Sequence, residues 1–276
     1  MLVMECGREP DNGKVARLLR RIGQTTFKPI PMIDRLAHSM MALQRLMKAQ
    51  EVTANNLANM DTPGFKADKL YFHSVLQKQG NRMVQSVVPG QSVDMTQGHF
   101  ESTGNPFDMA IEGDGFLKVE LDGVELLTRN GRFRQDDNGF LVNEQGARLM
   151  GSNGPISVPL MQDTATAESE VQLEISSNGR ILFNGTEYDR IRLYAAEKPE
   201  ALERHSTGYF FAPPEAGLAP DNESTLMQGY YEAGNVNPLN EMVDMMSNAS
   251  LFESQQRALT TTDELLSKAT STLGRF

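Results

Sequence analysis

Apolar residues return every three or four positions over two stretches near opposite ends of the chain, whereas between them the pattern shortens to brief runs punctuated by glycine. From about Ile33 to Asn59 the spacing predicts a helix with two heptad columns, Ile33, Met40, Met47 and Ala54 on one side and Leu36, Leu43, Gln50 and Leu57 on the other. A second helix is predicted from Asn237, where asparagine can cap the first turn and Pro238 takes a position whose N–H would have no helical partner. One of its columns runs through Met245, Phe252, Leu259, Leu266 and Leu273; the companion begins with Met242 and Ala249 and turns polar at Gln256, Asp263 and Thr270. The helices would be roughly 40 and 50 Å long at the usual helical rise. A thinning, methionine-rich seam gives neither of them much stability alone in water. The predicted fold class is α+β, with long N- and C-terminal helices forming a split coiled coil around a central antiparallel β-domain. A helical hairpin packed on the body of a monomer is the alternative the same pattern allows.

Between residues 105 and 190 the dipeptides Asp114-Gly115, Asp122-Gly123, Asn130-Gly131, Asn138-Gly139, Asn153-Gly154, Asn178-Gly179 and Asn184-Gly185 supply the residue types of tight hairpins. Strand-like runs lie among them: Met109 to Ile111, Phe116 to Leu121, Val124 to Thr128, Phe140 to Val142, Val171 to Ile175, Ile181 to Phe183 and Arg190 to Tyr194. Four segments follow. Residues 1–31 are an extension, disordered or a misassigned start with the natural one near Met32; 32–66 hold the N-terminal helix and a Thr-Pro-Gly turn. Residues 67–228 hold an extended connector with some strand and then the β-domain, and 229–276 the C-terminal helix.

Composition narrows the classes. The 276 residues are 39% hydrophobic and 22% charged, as in an ordinary globular protein. The formal charge is −10, and because residues 1–31 carry a net +3, the remainder holds −13. Such an acidic body argues against nucleic-acid binding, which needs a basic surface to displace counterions. No apolar run approaches the length of a membrane span, so insertion is not expected. Cys6 is the lone cysteine, so disulfides within the body are excluded. The stretch Lys14 to Phe27 lacks the apolar core and small-residue cleavage site of a secretory signal, and Val15 to Ile22 could form a short basic amphipathic helix.

Candidate chemistry is sparse. His38, His73, His99 and His205 are scattered with no metal-ligand spacing, and no serine elbow, phosphate-cradling loop or dinucleotide fingerprint is present, so no cofactor or metal is expected. Asp136-Asp137-Asn138-Gly139 superficially fits a calcium loop. Aligning Gly139 with that loop's glycine puts Arg134 and Gln145 where carboxylates should stand, so a hairpin turn explains the segment better. The pairs Asp108 with Glu112 and Glu168 with Glu170 could serve glycoside hydrolysis, although paired carboxylates are common on acidic surfaces.

The informative residues sit beside the predicted helices. In the run from Ala54 to Lys66, Leu57 falls on the seam while Asn55, Asn56 and Asn59 flank it; Pro63 pushes Thr62 out of helical geometry, and Pro63-Gly64 suits a type II turn. Ala54-Asn55-Asn56-Leu57-Ala58-Asn59, two further residues and Thr62-Pro63-Gly64-Phe65-Lys66 closely resemble the N-terminal signature of the bacterial flagellar rod and hook proteins. The resemblance continues in order through Asp108 to Val119, Thr128 to Phe133, Gly139 to Val142 and Gly146, then Gly229-Tyr230-Tyr231-Glu232, Asn235-Val236-Asn237, Glu241 to Val243 and Met245-Met246. The length from Met32 with one β-domain resembles the proximal rod members most, the distal rod members next, and the much longer hook protein least. Gly234 stands where the family usually has serine, and Ala249-Ser250 replaces a pair that usually contains arginine, which puts that arginine's subunit contact in doubt.

The resemblance implies a structural rod subunit with no catalysis, exported by the flagellar type III apparatus without a cleaved signal and placed in the basal-body rod in the periplasmic space. Its partners would be copies of itself and other rod proteins, and its terminal segments would order only on assembly. Helix packing and assembly are expected from Leu36, Leu43, Met47, Leu57, Met245, Phe252, Leu259 and Leu266. Subunit contacts or helix boundaries are expected from Asn55, Asn56, Asn59, Pro63, Gly64, Asn235, Asn237 and Pro238. Two rival readings are a secreted carbohydrate-active β-protein and a cytoplasmic coiled-coil adaptor.

Overall fold

The computed structural model describes residues 32–79, 82–159 and 173–273. The expectations for residues 1–31, for the side chains of Ile33, Leu36, Leu266 and Leu273, for Val171 and Gln172, and for the Glu168–Glu170 pair lie outside the described residues. The chain divides into two compact units, residues 1–43 with 255–276, and residues 44–254. In the first, the described residues are helical, and Met40, Met41 and Leu265 are exposed.

The backbone is helical over α1 (Met32–Ala58) and α2 (Pro238–Leu273). Asn59 closes α1 by donating its side-chain amide to Asn55 O at 2.8 Å, which satisfies one of the carbonyls a helix end leaves over. Phe65 N then bonds to Thr62 O, and Gly64 takes φ +66°, the left-handed value that the third position of a type II turn needs. At α2, Asn237 Oδ1 accepts from the N–H groups of Leu239 and Asn240 at 3.1 and 3.2 Å, a side-chain cap, and Pro238 follows at the first helical position.

Between the helices run β1 (Asp68–Gln79), β2 (Arg82–Val93), β3 (Phe100–Ser102), β4 (Met109–Glu112), β5 (Phe116–Leu121), β6 (Val124–Thr128), β7 (Arg134–Gln135), β8 (Leu141–Val142) and β9 (Arg148–Leu149). They are followed by β10 (Leu173–Ile175), β11 (Arg180–Phe183), β12 (Thr186–Arg190), β13 (Leu193–Ala196), β14 (Glu203–Ser206), β15 (Tyr209–Phe211), β16 (Leu218–Asp221), β17 (Thr225–Gln228) and β18 (Tyr230–Glu232). A nine-stranded sheet orders β14-β15-β6-β5-β9-β8-β7, with β13 joining β16 to β5. The remaining strands form a β1-β2 hairpin, a β10-β11-β12 sheet and the pairs β17-β4 and β18-β3. Every pairing is antiparallel among the described residues.

The large sheet is covered on both faces. Leu117, Val119 and Leu126 face a core with Met109, Ile111, Leu149 and Ile181, while Phe116 and Leu127 face a second core with Leu202 and Phe210. Burying such side chains contributes about 1.5–3 kcal/mol each. Two of the glycine dipeptides make the expected tight hairpins, since Asp122-Gly123 and Asn184-Gly185 have φ of 51° and 79° and of 49° and 79°, joining β5 to β6 and β11 to β12. Asn130-Gly131 has another reason for glycine. A Cβ at Gly131 would lie 1.6 Å from Met109 O, and Met109 N donates to Gly131 O at 2.9 Å.

The predicted fold class requires correction. Long helices zipped as a split coiled coil around one antiparallel β-domain are not what the chain forms: the β-rich region is divided among five sheets. Met40, Met47 and Ala54 are exposed, whereas Val52, Thr53 and Asn56 are buried, and on α2 no described side chain is buried. The physical reason is rotational. Asn56 is turned into the β-body to make hydrogen bonds there, and at about 100° per residue this sends Met47 and Ala54 to the far side.

Candidate functional site: the junction below the helices

Lys66, Arg129 and Glu232 are buried together, with side-chain exposures of 0%, 2% and 1%. The turn after α1 aims Lys66 inward, the end of β6 delivers Arg129, and β18 delivers Glu232. Lys66 Nζ donates to Glu232 Oε1 at 2.6 Å and to Thr96 O at 2.8 Å, and Gly98 N donates to the same carboxylate oxygen at 2.8 Å. Arg129 reaches Glu232 Oε2 at 3.5 Å and Gly113 O at 2.6 Å, and its guanidinium lies 5.2 Å from the Phe116 ring centre. Burial holds the Lys66 amine below the usual lysine range, opposed by the attraction of Glu232, and burial likewise lowers Arg129. Two cations share one carboxylate here. The balance is made up by backbone carbonyls and, at longer range, by Asp114 and Asp221.

Around this trio the chain is tied by side-chain amides that imitate strand pairing. Asn56 donates to Asp68 O at 2.9 Å and accepts from Asp68 N at 2.8 Å, and its amide also reaches Glu241 Oε1 at 3.1 Å. Asn235 accepts from Ala67 N at 2.7 Å and donates to Asp94 O and Thr96 O, both at 2.9 Å. Arg204 donates to Lys66 O at 2.6 Å, lies 3.0 Å from Asp68 Oδ1, and packs over the rings of Phe65 and Phe210. Gly64 N bonds to Glu232 O at 2.7 Å, and a Cβ there would meet the Arg129 carbonyl carbon at 2.3 Å. Gly234 sits just as tightly, with its would-be Cβ 2.8 Å from Met60 O.

Of the predicted boundary residues, Asn55, Asn56 and Asn59 converge on the end of α1; Pro63 and Gly64 form the turn; Asn235, Asn237 and Pro238 occupy the entry to α2. The packing residues are more dispersed. Leu43, Leu57, Met245, Phe252 and Leu259 are half-buried, Met47 is exposed, and the side chains of Leu36 and Leu266 lie outside the described residues. Leu46, Met47 and Gln50 line a groove of about 260 Å³ with Asn248, Ala249 and Phe252, in which Gln50 Oε1 is buried and unpartnered. Sequence reasoning gave no role to Lys66, Arg129, Glu232, Arg204 or Asp68. The one signal for Lys66, Arg129 and Glu232 is a charged residue inside a family-like motif; Asp68 and Arg204 lie outside those motifs. Elsewhere, Asp108 accepts from Thr103 Oγ1 and Asn105 and holds a loop, Glu112 is exposed, and Asp136 accepts from Asn138 N and Phe140 N in a hairpin turn.

Three segments of the chain match protein families: residues 36–66 the flagella basal body rod protein family, 110–183 the flagellar hook protein FlgE/F/G D1 domain, and 227–272 the flagellar basal body rod FlgEFG protein C-terminal family. The chain is 34% identical over 237 residues to the flagellar basal-body rod protein FlgF of Salmonella typhimurium, covering 82% of this chain and 92% of that protein. The chain belongs to the flagellar basal-body rod protein family. Similarity extends to FlgF of Escherichia coli, 32% identical over 85% of this chain and 96% of that protein. It extends also to the rod protein FlgG of Agrobacterium fabrum, 29% identical over 79% of this chain and 90% of that protein. As a family member it is a structural rod subunit. The three matched segments each give one member of the buried trio, Lys66, Arg129 and Glu232, so the junction is where the family's segments meet.

Proposed function

We propose that this chain is a FlgF-type subunit of the basal-body rod. It sits in the rod within the periplasmic space, packs against copies of itself and other rod proteins, and transmits torque without catalysing a reaction. It reaches that position through the flagellar export apparatus. The FlgF proteins of Salmonella typhimurium and Escherichia coli, 34% and 32% identical, stand above the FlgG of Agrobacterium fabrum at 29%, which supports the FlgF reading over the distal-rod alternative.

The observation that carries the structural role is an uncovered apolar face. At the base of α2, Leu239, Met242, Val243 and Met246 follow helical spacing and are exposed, whereas Met245 and Phe252 are half-buried. A solitary monomer gains little by displaying such a stripe, whereas a neighbouring subunit would bury it. Assembly by repeating head-to-tail contacts that never close generates a rod. Leu43, Met47, Leu57, Met245, Phe252 and Leu259 would contribute to that packing. Asn55, Asn56, Asn59, Asn235 and Asn237 would fix the helix ends that present it.

Locating the chain in purified basal bodies tests the proposal. Recovery within the rod, and loss of motility when the gene is deleted, are expected; a freely diffusing protein that turns over cell-wall glycan would overturn it.

A further inference from the structure

The loop from Gly151 to Gly154 carries an asparagine with an unusual degree of freedom. Four other Asn-Gly pairs occur in the described residues, at 130, 138, 178 and 184, and each is restrained by its surroundings. Gly139 N donates to Asp136 O at 3.0 Å and Gly179 N to Ser176 O at 2.8 Å. Gly131 is pressed against Met109 O, with Asn130 Oδ1 engaged by Arg132 N at 3.0 Å. Asn184 is itself left-handed within a two-residue hairpin turn. Asn153 is exposed, as are Asn138, Asn178 and Asn184, but neither its side-chain amide nor Gly154 N makes a hydrogen bond among the described residues, and, as at Gly185, nothing lies within 4 Å of the place where a Gly154 Cβ would stand.

We infer that Asn153 is a site of spontaneous deamidation. Hydroxide removes the Gly154 amide proton; the nitrogen attacks Cγ of Asn153, forming an N–C bond, and the side-chain nitrogen leaves as ammonia after taking a proton from water. The resulting succinimide is opened by water at either of its carbonyls, leaving a carboxylate at residue 153 on a normal or an isoaspartyl backbone. Glycine permits the approach because it has no side chain in the way of the attacking nitrogen. The product adds one negative charge to this loop, whose ends are held by Gly151 N donating to Gly154 O at 2.7 Å and Ser152 N to Arg190 O at 3.0 Å.

Incubation of the full chain at neutral and at mildly alkaline pH, followed by peptide mapping by mass spectrometry and isoaspartyl methyltransferase labelling, tests the inference. Conversion at Asn153 should outpace that at Asn138 and Asn178 by about tenfold, the rate ratio equivalent to roughly 1.4 kcal/mol. Its rate should rise with pH. Asn153→Gln should remove the fastest modification among the described Asn-Gly sites and leave the slower ones unchanged, while Gly154→Ala should slow it. Equal or faster conversion at Asn138 or Asn178 in the folded chain, or an intact Asn153 while those sites convert, would overturn the assignment. Repeating the incubation in denaturant should bring the rates together, because the discrimination resides in the fold.

Discussion

Replacing Glu232 by glutamine removes the one carboxylate shared by Lys66 and Arg129 while keeping the side chain's size. Lys66 Nζ lies 2.6 Å and Arg129 3.5 Å from that carboxylate, and all three side chains are at least 98% buried. The substitution leaves two buried cations facing a neutral amide, and breaking a buried pair by removing one partner costs roughly 3–5 kcal/mol. Lys66→Met makes the opposite change. Glu232 keeps Arg129 and Gly98 N, Thr96 O keeps the Asn235 amide, the cluster becomes neutral, and methionine retains much of the lysine stem's packing. Its cost should be about 1.5–3 kcal/mol, that of one hydrogen bond to a charged group. Against a total stability of roughly 5–15 kcal/mol, the two variants should separate clearly in urea midpoint at unchanged slope. With six tyrosines and no tryptophan, the full chain can be followed by tyrosine fluorescence and circular dichroism. A Glu232→Gln variant no less stable than Lys66→Met would refute the reasoning that the carboxylate compensates both cations.

Gly64→Ala should destabilise by more than about 2 kcal/mol, because a left-handed residue gains a Cβ 2.3 Å from the Arg129 carbonyl carbon; thermal unfolding measures it. Asn56→Asp should cost more than Asn56→Ala in chemical unfolding, since the carboxylate cannot donate to Asp68 O and is placed beside Glu241. Burial raises the Glu241 carboxyl above its ordinary value of 4.5, with the Asn56 amide pulling it down and Asp244 pushing it further up. Its contribution is therefore fully present below pH 4.5 and fades as pH rises through the higher folded value; the difference in unfolding free energy between wild type and Glu241→Gln across that range should follow this sign. Leu259→Asp should block incorporation into rods while the β-body keeps its unfolding midpoint, and normal motility in that strain would count against the packing role.

What the sequence revealed follows from how local each signal was. Asp122-Gly123 and Asn184-Gly185 were readable because an I′ turn needs two left-handed residues in a row, a demand met within the dipeptide. The 12-residue strands β1 and β2 give a weak local signal, because Tyr71 and Phe72 are both exposed and residues 69–75 show no alternation of buried and exposed positions. The rotation of α1 was hidden for a related reason. Periodicity reports where apolar residues recur, but the face turned inward near its end holds Thr53 and Asn56, whose burial rests on hydrogen bonds to residues beyond the helix. The pairing of Lys66 with Glu232 spans 166 residues, and no local pattern announces a partner so distant.

The same long reach explains why the junction uses charge where apolar packing would serve stability as well. Buried ion pairs recover little more than their desolvation cost, so Lys66, Arg129 and Glu232 are poor candidates for raising stability and better ones for fixing register. An apolar cluster tolerates a sliding contact; a carboxylate between an amine, a guanidinium and Gly98 N does not. With Gly64 N on Glu232 O and Asn235 bridging Ala67 and Asp94, the strand leading to α2 cannot shift against the turn leaving α1 without stranding a buried charge or amide. Groups whose misalignment is costly hold these two segments in one register, and the three matched segments each supply one of them. It follows that Lys66→Met should leave the junction only modestly less stable yet less strictly registered, which faster hydrogen exchange at Ala67 N and Gly98 N in that variant than in the wild type would reveal.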